Sequence, residues 1–220
     1  MSTGKGHETE QSRRPAVQPV GSRAGVLDQV IRPFARLSTS RSNLRAGLTS
    51  DWLIGAVLCA AAFHRGPPHA LAGALAVSGG LFAFSFIEYA VHRWLFHGNT
   101  GPLRAGHTRH HVDPHGHDAL PFFIPPLFMC ALAWLFSLVL PVAPALLLAG
   151  SIAVGYALYG SSHAILHVHR FHNPLLRRWA SFHNIHHFHP ETNFGVTTGL
   201  WDLLLGTRYR HRAHHGAVHA

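Results

Sequence analysis

Four histidine clusters carry most of the chemistry this chain could do. His92-Arg-Trp-Leu-Phe-His97 has HxxxxH spacing, His107-Thr-Arg-His110-His111 is HxxHH, His163-Ala-Ile-Leu-His167 is HxxxH, and His183-Asn-Ile-His186-His187 is a second HxxHH. On a helix, positions i, i+3 and i+4 share a face, so each HxxHH aims three imidazoles the same way, and His163 and His167 stand one turn apart. His92 and His97, five residues apart, are about 140° apart on an ideal α-helix. They converge only at a frayed end, or else each serves a different metal. The ten histidines suffice for two metals with about five nitrogens each, or four and an open position of the kind a catalytic metal needs. Imidazole suits iron, zinc, copper and nickel alike, so ligand type does not choose the metal.

Histidine is also abundant elsewhere, 22 residues against 18 Lys and Arg together. A structural role hardly explains so many, because every buried imidazole needs partners for its ring nitrogens. Some of them are nevertheless open to a blander reading as supporting or pH-sensitive surface groups. The tail supplies a third HxxHH, His211-Arg-Ala-His214-His215, followed by His219, among arginines beyond the last apolar segment. It reads as a solvated tail and warns that the motif arises easily here. What distinguishes the other four clusters is their place at the ends of apolar segments.

Those segments define the frame. Charged residues make up only 12% of the chain and hydrophobic ones 47%, so the net charge of +9 is not the dense basic surface of a nucleic-acid binder. Positive charge at the ends of apolar runs fits a membrane surface, and no nucleic-acid partner is expected. Cys59 and Cys130 both lie inside apolar runs and read as small buried hydrophobes. Residues 1–25 are polar, contain no apolar core of signal-peptide length, and read as a disordered tail. Residues 26–47 place Val26, Leu27, Val30, Ile31, Phe34 and Leu37 at helical spacing with Arg32 and Arg36 opposite, an amphipathic interfacial segment or an ordinary surface helix.

Residues 48–210 then form one membrane domain, followed by the His-rich tail 211–220. Trp52 to Phe63 is short for a span, Ala70 to Ile87 is long enough, and residues 119–162 hold no charge and no histidine. Pro141 and Pro144 divide that last stretch into a helical hairpin, 121–140 and 143–162. The expected fold is an all-α integral membrane bundle of about four transmembrane helices. With the Arg-rich N-terminal segment in the cytoplasm, all four clusters return to the cytoplasmic face as a His-rich cap, and only Arg65 falls on the far side.

The order HxxxxH, HxxHH, HxxxH, HxxHH resembles the fatty acid hydroxylase/sterol desaturase superfamily of membrane di-iron enzymes. Further text adds to it: Pro121-Phe-Phe-Ile-Pro-Pro126 after the first HxxHH, Tyr159-Gly-Ser-Ser-His163, and Asn193-Phe-Gly-Val-Thr-Thr198 leading to Trp201-Asp202 and Gly206-Thr207. These last motifs are most similar to the fatty acid 2-hydroxylase branch, over roughly residues 50–210. The resemblance implies two irons (zinc can replace them on purification) on His92, His97, His107, His110, His111, His163, His167, His183, His186 and His187. It implies O2-dependent hydroxylation of a fatty acyl chain or related lipid, with carbon 2 a candidate position and desaturation sharing the opening step. Residues 1–47 are too short for the cytochrome b5 domain that eukaryotic 2-hydroxylases often carry, so a separate electron donor of ferredoxin or cytochrome b5 type is expected. Val168-His169 stands where the related enzymes tend to have adjacent histidines, which leaves His169 outside the ligand set.

Glu88, Asp113, Asn184 and Asp202 are candidates to orient ligating imidazoles, although Asp202 can equally anchor a turn. His115, His117, His172 and His189 match no ligand position. A carotenoid or sterol hydroxylase or desaturase would use the same metal chemistry. A non-catalytic membrane metal-binding or transport protein is the reading from another class, but histidines gathered at one face do not mark an ion path across the membrane.

Overall fold

The computed structural model describes residues 33–211 except 67 and 99, and these described residues are helical with no strand. The polar tail 1–25, the first part of the amphipathic segment, and tail residues 212–220 with His214, His215 and His219 lie outside them. A short helical stretch at 33–38 is followed by α1 (Arg41–His64), α2 (Ala70–Ala90) running into a π-helical turn (Val91–Phe96), α3 (Pro102–Val112), α4 (Ile124–Ser137), α5 (Val142–Val168), α6 (Pro174–Phe188) and α7 (Leu200–Leu204).

Among the described residues, three helices are long and apolar enough to cross a membrane: α1, α2 with its π turn, and α5. The first differs from the sequence expectation. A turn at Thr39–Ser40 comes before it, the Ser40 side chain accepts from Asn43 N–H as N-cap, and α1 is already helical from Arg41. The described part of the amphipathic stretch, 33–47, is therefore divided between a short helical turn at 33–38 and the start of a span. The charge-free run around Trp52 gains enough length, 24 residues or about 36 Å, to cross the ~30 Å hydrocarbon core.

The expected hairpin is also unequal. Its first arm, α4, has only 14 residues, about 21 Å, and is short of a span on its own. Pro125 and Pro126 fill its first turn, where a missing N–H costs nothing but further extension toward the N-terminus is blocked. The residues before it are used otherwise. The Asn43 amide donates to Leu120 O and accepts from Phe122 N–H, while Ser50 Oγ donates to Phe122 O and Ala119 N–H to Ser38 O. The clasp satisfies backbone groups that a helix would have paired.

The second arm, α5, is the centre of the bundle and packs on α1, α2 and α4. Its small residues allow close approach, the usual route to helix association where water supplies no driving force. A Cβ on Gly155 would stand 2.6–2.8 Å from the Phe84 side chain, and one on Gly150 would stand 2.8 Å from Cys59 Sγ. From α2, a Cβ on Gly80 would meet Ser151 Cβ at 2.7 Å. Around this centre Leu53, Val57, Leu71, Leu75, Leu127 and Trp134 are each more than half exposed, a lipid-facing surface rather than a wet one.

Gly155→Val is accordingly expected to destabilise the bundle by about 1–3 kcal/mol, read as a lower melting temperature in detergent. Gly79→Ala, where an added Cβ meets nothing within 4 Å, should leave it unchanged or slightly raised. Equal effects of the two would show that the α2–α5 contact does not hold the bundle together.

Candidate metal centre

All ten predicted histidines meet at one end of the bundle, contributed by the π turn and by α3, α5 and α6. They form two groups of five: His92, His97, His107, His111 and His186, and His110, His163, His167, His183 and His187. Within each group the potential ligand nitrogens all lie within 4.8 Å of one another.

The pairing of His92 with His97 depends on the π turn. An i→i+5 bond, His97 N–H to His92 O at 3.1 Å, widens the last turn of α2 and turns two residues that diverge on an α-helix toward one another. Both enter the same group, the convergent one of the two arrangements that their spacing allows. The HxxHH triplets, in contrast, are split. His107 and His111 go to the first group and His110 to the second, while His183 and His187 go to the second and His186 to the first. Relative to position i, i+4 lies about 40° to one side and i+3 about 60° to the other. A helix whose shared face points between two centres therefore serves both.

Nitrogen spacing argues for cations rather than a hydrogen-bonded imidazole cluster. His107 Nε2 is 3.0 Å from His92 Nε2, 2.8 Å from His97 Nε2 and 3.0 Å from His111 Nε2, and His97 Nε2 is 3.0 Å from His186 Nε2. A ring nitrogen carries one hydrogen or one lone pair, so at most one of the three contacts at His107 is a hydrogen bond. Ligands at right angles around an ion, each at ~2.1 Å, stand about 3.0 Å apart. In the second group His183 Nε2 lies 3.0 Å from His167 Nε2 and 3.2 Å from His187 Nε2, and His167 Nε2 is 3.4 Å from His163 Nε2. These donor sets fit a metal in each group.

Burial keeps these imidazoles in the neutral form that binds metal. It lowers His97 to about 4 and His186 and His110 to about 3, and it lowers His187 to about 2. His107, His111 and His183 are also lowered, first by burial, with neighbouring imidazoles adding to the shift at His107 and His183.

Behind the first group lies the loop 192–198. His92 Nδ1 donates to Phe194 O at 2.5 Å and His186 Nδ1 to Thr192 O at 2.7 Å, which leaves each Nε2 with a lone pair facing the group. The Phe194 ring packs against His92, His97 and His186 with centroids at 5.9, 5.6 and 5.6 Å. The loop is gripped from both sides. Asp202, fully buried, accepts from Phe194 N–H and Gly195 N–H, each at 2.8 Å, and from Thr207 Oγ1 at 2.7 Å. Glu88, also buried, accepts from Val196 N–H, Thr197 N–H and the Thr197 hydroxyl. Asn193 takes a left-handed φ of 54° and links Phe182 O to Tyr209 N–H, and Trp179 Nε1 donates to Val196 O.

The four candidate orienting residues thus divide. Glu88 and Asp202 act on the loop and reach His92 through its backbone, with no direct bond to an imidazole. Asp113 is exposed and its Oδ1 accepts from His115 N–H, which closes the turn after α3. Asn184 is exposed because it follows His183 by one residue, about 100° around α6. Neither bonds a ring among the described residues. His169 stays outside both groups with its ring on Phe171, and His189 stacks on Tyr209 at 4.6 Å. The groups that sequence reasoning missed are the carbonyls of Thr192 and Phe194, which have no residue-type signal. The available clue was two carboxylates, Glu88 and Asp202, set in otherwise apolar sequence.

A family model described as fatty acid hydroxylase matches residues 77–207. The chain is 33% identical over 142 residues to the dihydroceramide fatty acyl 2-hydroxylase FAH1 of Arabidopsis thaliana, covering 58% of this chain and 58% of that protein. It is 32% identical over 148 residues to the fatty acid 2-hydroxylase of Mus musculus, covering 61% and 40%. To the ceramide very long chain fatty acid hydroxylase SCS7 of Saccharomyces cerevisiae it is 31% identical over 142 residues, covering 58% and 36%. The matches span 36% to 58% of the length of these curated relatives. A solved structure of full-length scs7p, with only the hydroxylase domain visible, aligns with a TM-score of 0.64 and 25% identity over 76% of this chain and 67% of that one. The family model takes in the ten histidines, both carboxylates that grip the loop and the loop itself, and the chain belongs to the fatty acid hydroxylase family.

Proposed function

We propose that this protein hydroxylates a fatty acyl chain or related lipid at carbon 2, using O2 and two irons held by the ten histidines. The observation that carries the reading is the meeting of two five-nitrogen groups at one end of a membrane bundle, in a chain whose relatives are named as acyl 2-hydroxylases. In the balanced reaction a C–H bond becomes C–OH with one oxygen atom of O2. The other leaves as water with two protons and two electrons. Bound iron supplies the O2 chemistry.

The chain's own residues supply the rest. The histidines present neutral lone pairs in fixed directions, and Phe194 covers the first group against water. Tyr159 stacks on His163 with centroids 5.7 Å apart and lies 6.5 Å from Phe84. This apolar column beneath the second group suits an acyl chain arriving from the hydrocarbon side. Electrons come from a separate carrier of ferredoxin or cytochrome b5 type. The cap faces the cytoplasm, because Arg104, Arg109, Arg170, Arg177, Arg178, Arg208 and Arg210 are exposed on or beside it, while the α1–α2 turn at the opposite end carries Arg65.

The test is to express the protein, purify it in detergent, count its metals, and analyse cellular lipids for acyl chains carrying one added oxygen. Two irons per chain and O2-dependent 2-hydroxyacyl lipids are expected. Bound metal without any O2-dependent lipid change, despite a competent reductant, would overturn the reading. Zinc in the purified protein decides nothing alone, since zinc occupies the same imidazole sites.

A further inference from the structure

The two histidine groups are alike in number but not in support. In the first, two of the five rings are fixed from behind, His92 by Phe194 O and His186 by Thr192 O. Both carbonyls belong to one loop, whose backbone N–H groups are held by the buried carboxylates of Asp202 and Glu88. In the second, Nδ1 of His183 and Nδ1 of His187 are buried and have no hydrogen-bond partner among the described residues. His183 is fully buried, so its ring is held by packing alone.

We infer that the two sites differ in metal affinity: the site of His92, His97, His107, His111 and His186 retains its metal while the site of His110, His163, His167, His183 and His187 exchanges. A donor bond on the far ring nitrogen fixes the tautomer that leaves Nε2 free, holds the ring's direction, and raises the basicity of the ligand. Loss of such a partner typically costs 10- to 100-fold in metal affinity. The loop makes this support collective. Asp202 holds Phe194 and Gly195 while Glu88 holds Val196 and Thr197, so neither Phe194 O nor the backbone following it can drift from His92 while both carboxylates are in place. Glu88 and Asp202 are positioning residues for the first site only, since no bond runs from either of them to the second group.

The inference rests on reading the ten histidines as ligands, and the experiment separates the two. Full-length protein in detergent is stripped of metal and titrated with Co2+ or Zn2+ against a chelator of known affinity, with total metal measured in parallel. Two equivalents in two classes, about 10- to 100-fold apart, are expected. Fewer than two would defeat the ligand reading itself, whereas two equivalents of a single affinity would defeat only the inequality. His183→Ala should delete the weak class and His186→Ala the tight one, and the reverse assignment would overturn the proposal.

Asp202→Asn and Glu88→Gln should weaken the tight class about 10-fold or more and leave the weak class in place. A purely structural role would instead lower both classes together with the melting temperature. Should these variants not fold, the release of metal from the unaltered protein into excess chelator remains decisive. One equivalent should leave quickly and one slowly, and a single phase for both would sink the inequality.

Discussion

Replacing His107 by alanine is expected to abolish hydroxylated product and to lower bound metal from about two per chain to about one. His107 Nε2 is the nitrogen with the most close neighbours in the first group, 2.8–3.0 Å from three others, and a site with an open position has no spare ligand to lose. Its ring also stacks on Phe96, with centroids at 5.0 Å, so the alanine leaves a gap beside His92 and His97 that lets both rings turn. The change should be visible in metal content before activity is measured. His110→Ala should act equally on activity through the second group. Two control histidines should not: His189, stacked on Tyr209 away from both groups, and His214, in the tail beyond the described residues. A loss of product on His189→Ala or His214→Ala as large as that on His107→Ala would refute the choice of ligands.

The helical spacing of the histidines was legible in the sequence because it follows from the geometry of a single helix. Their sharing between two groups was not, because it depends on how α3 and α6 are turned relative to each other, which no spacing within either helix records. The relation of His92 to His97 stays open in the sequence for a related reason. An α-helical period places them apart, and the π turn that unites them is a local choice of hydrogen bond with no residue signature in His92-Arg-Trp-Leu-Phe-His97. The apolar content of 119–162 announced a hairpin, yet its first arm is shortened by Asn43, a polar residue that on sequence grounds looked like part of a surface helix.

The same limit applies to the loop. Glu88 and Asp202 could be nominated as carboxylates in apolar text, but what they hold is main chain, and a carbonyl such as Phe194 O is contributed by whichever residue stands there. Residue type nominates candidate ligands but carries little signal for their supports. That is why the candidate metal sites follow from spacing, whereas their unequal backing comes from the hydrogen bonds.

Acidification is expected to unfold the metal-free protein from near pH 6.5 downward, and bound metal to move that loss to lower pH. Unfolded imidazoles titrate near 6.5, whereas in the fold burial lowers His97 to about 4, His186 and His110 to about 3, and His183 as well. Between those values the unfolded chain binds protons that the folded chain refuses, so stability falls as pH falls. The contribution is complete above about 6.5 and is lost progressively toward the folded-state values. His183 and His186 are both fully buried, and each costs up to about 1.4 kcal/mol per pH unit. Two units of acidification remove about 3 kcal/mol through His186 alone, and His183 adds to that loss, a large share of the whole stability of many domains. The less buried rings add smaller amounts, because solvent screens them. Metal competes with protons for the same lone pairs, so saturating Zn2+ should hold the melting temperature nearly level to a lower pH before it collapses. Melting in detergent from pH 8 to 5, with and without metal, checks both parts. A metal-free melting temperature that stays flat or rises on acidification would mean that these imidazoles are not held neutral by the fold.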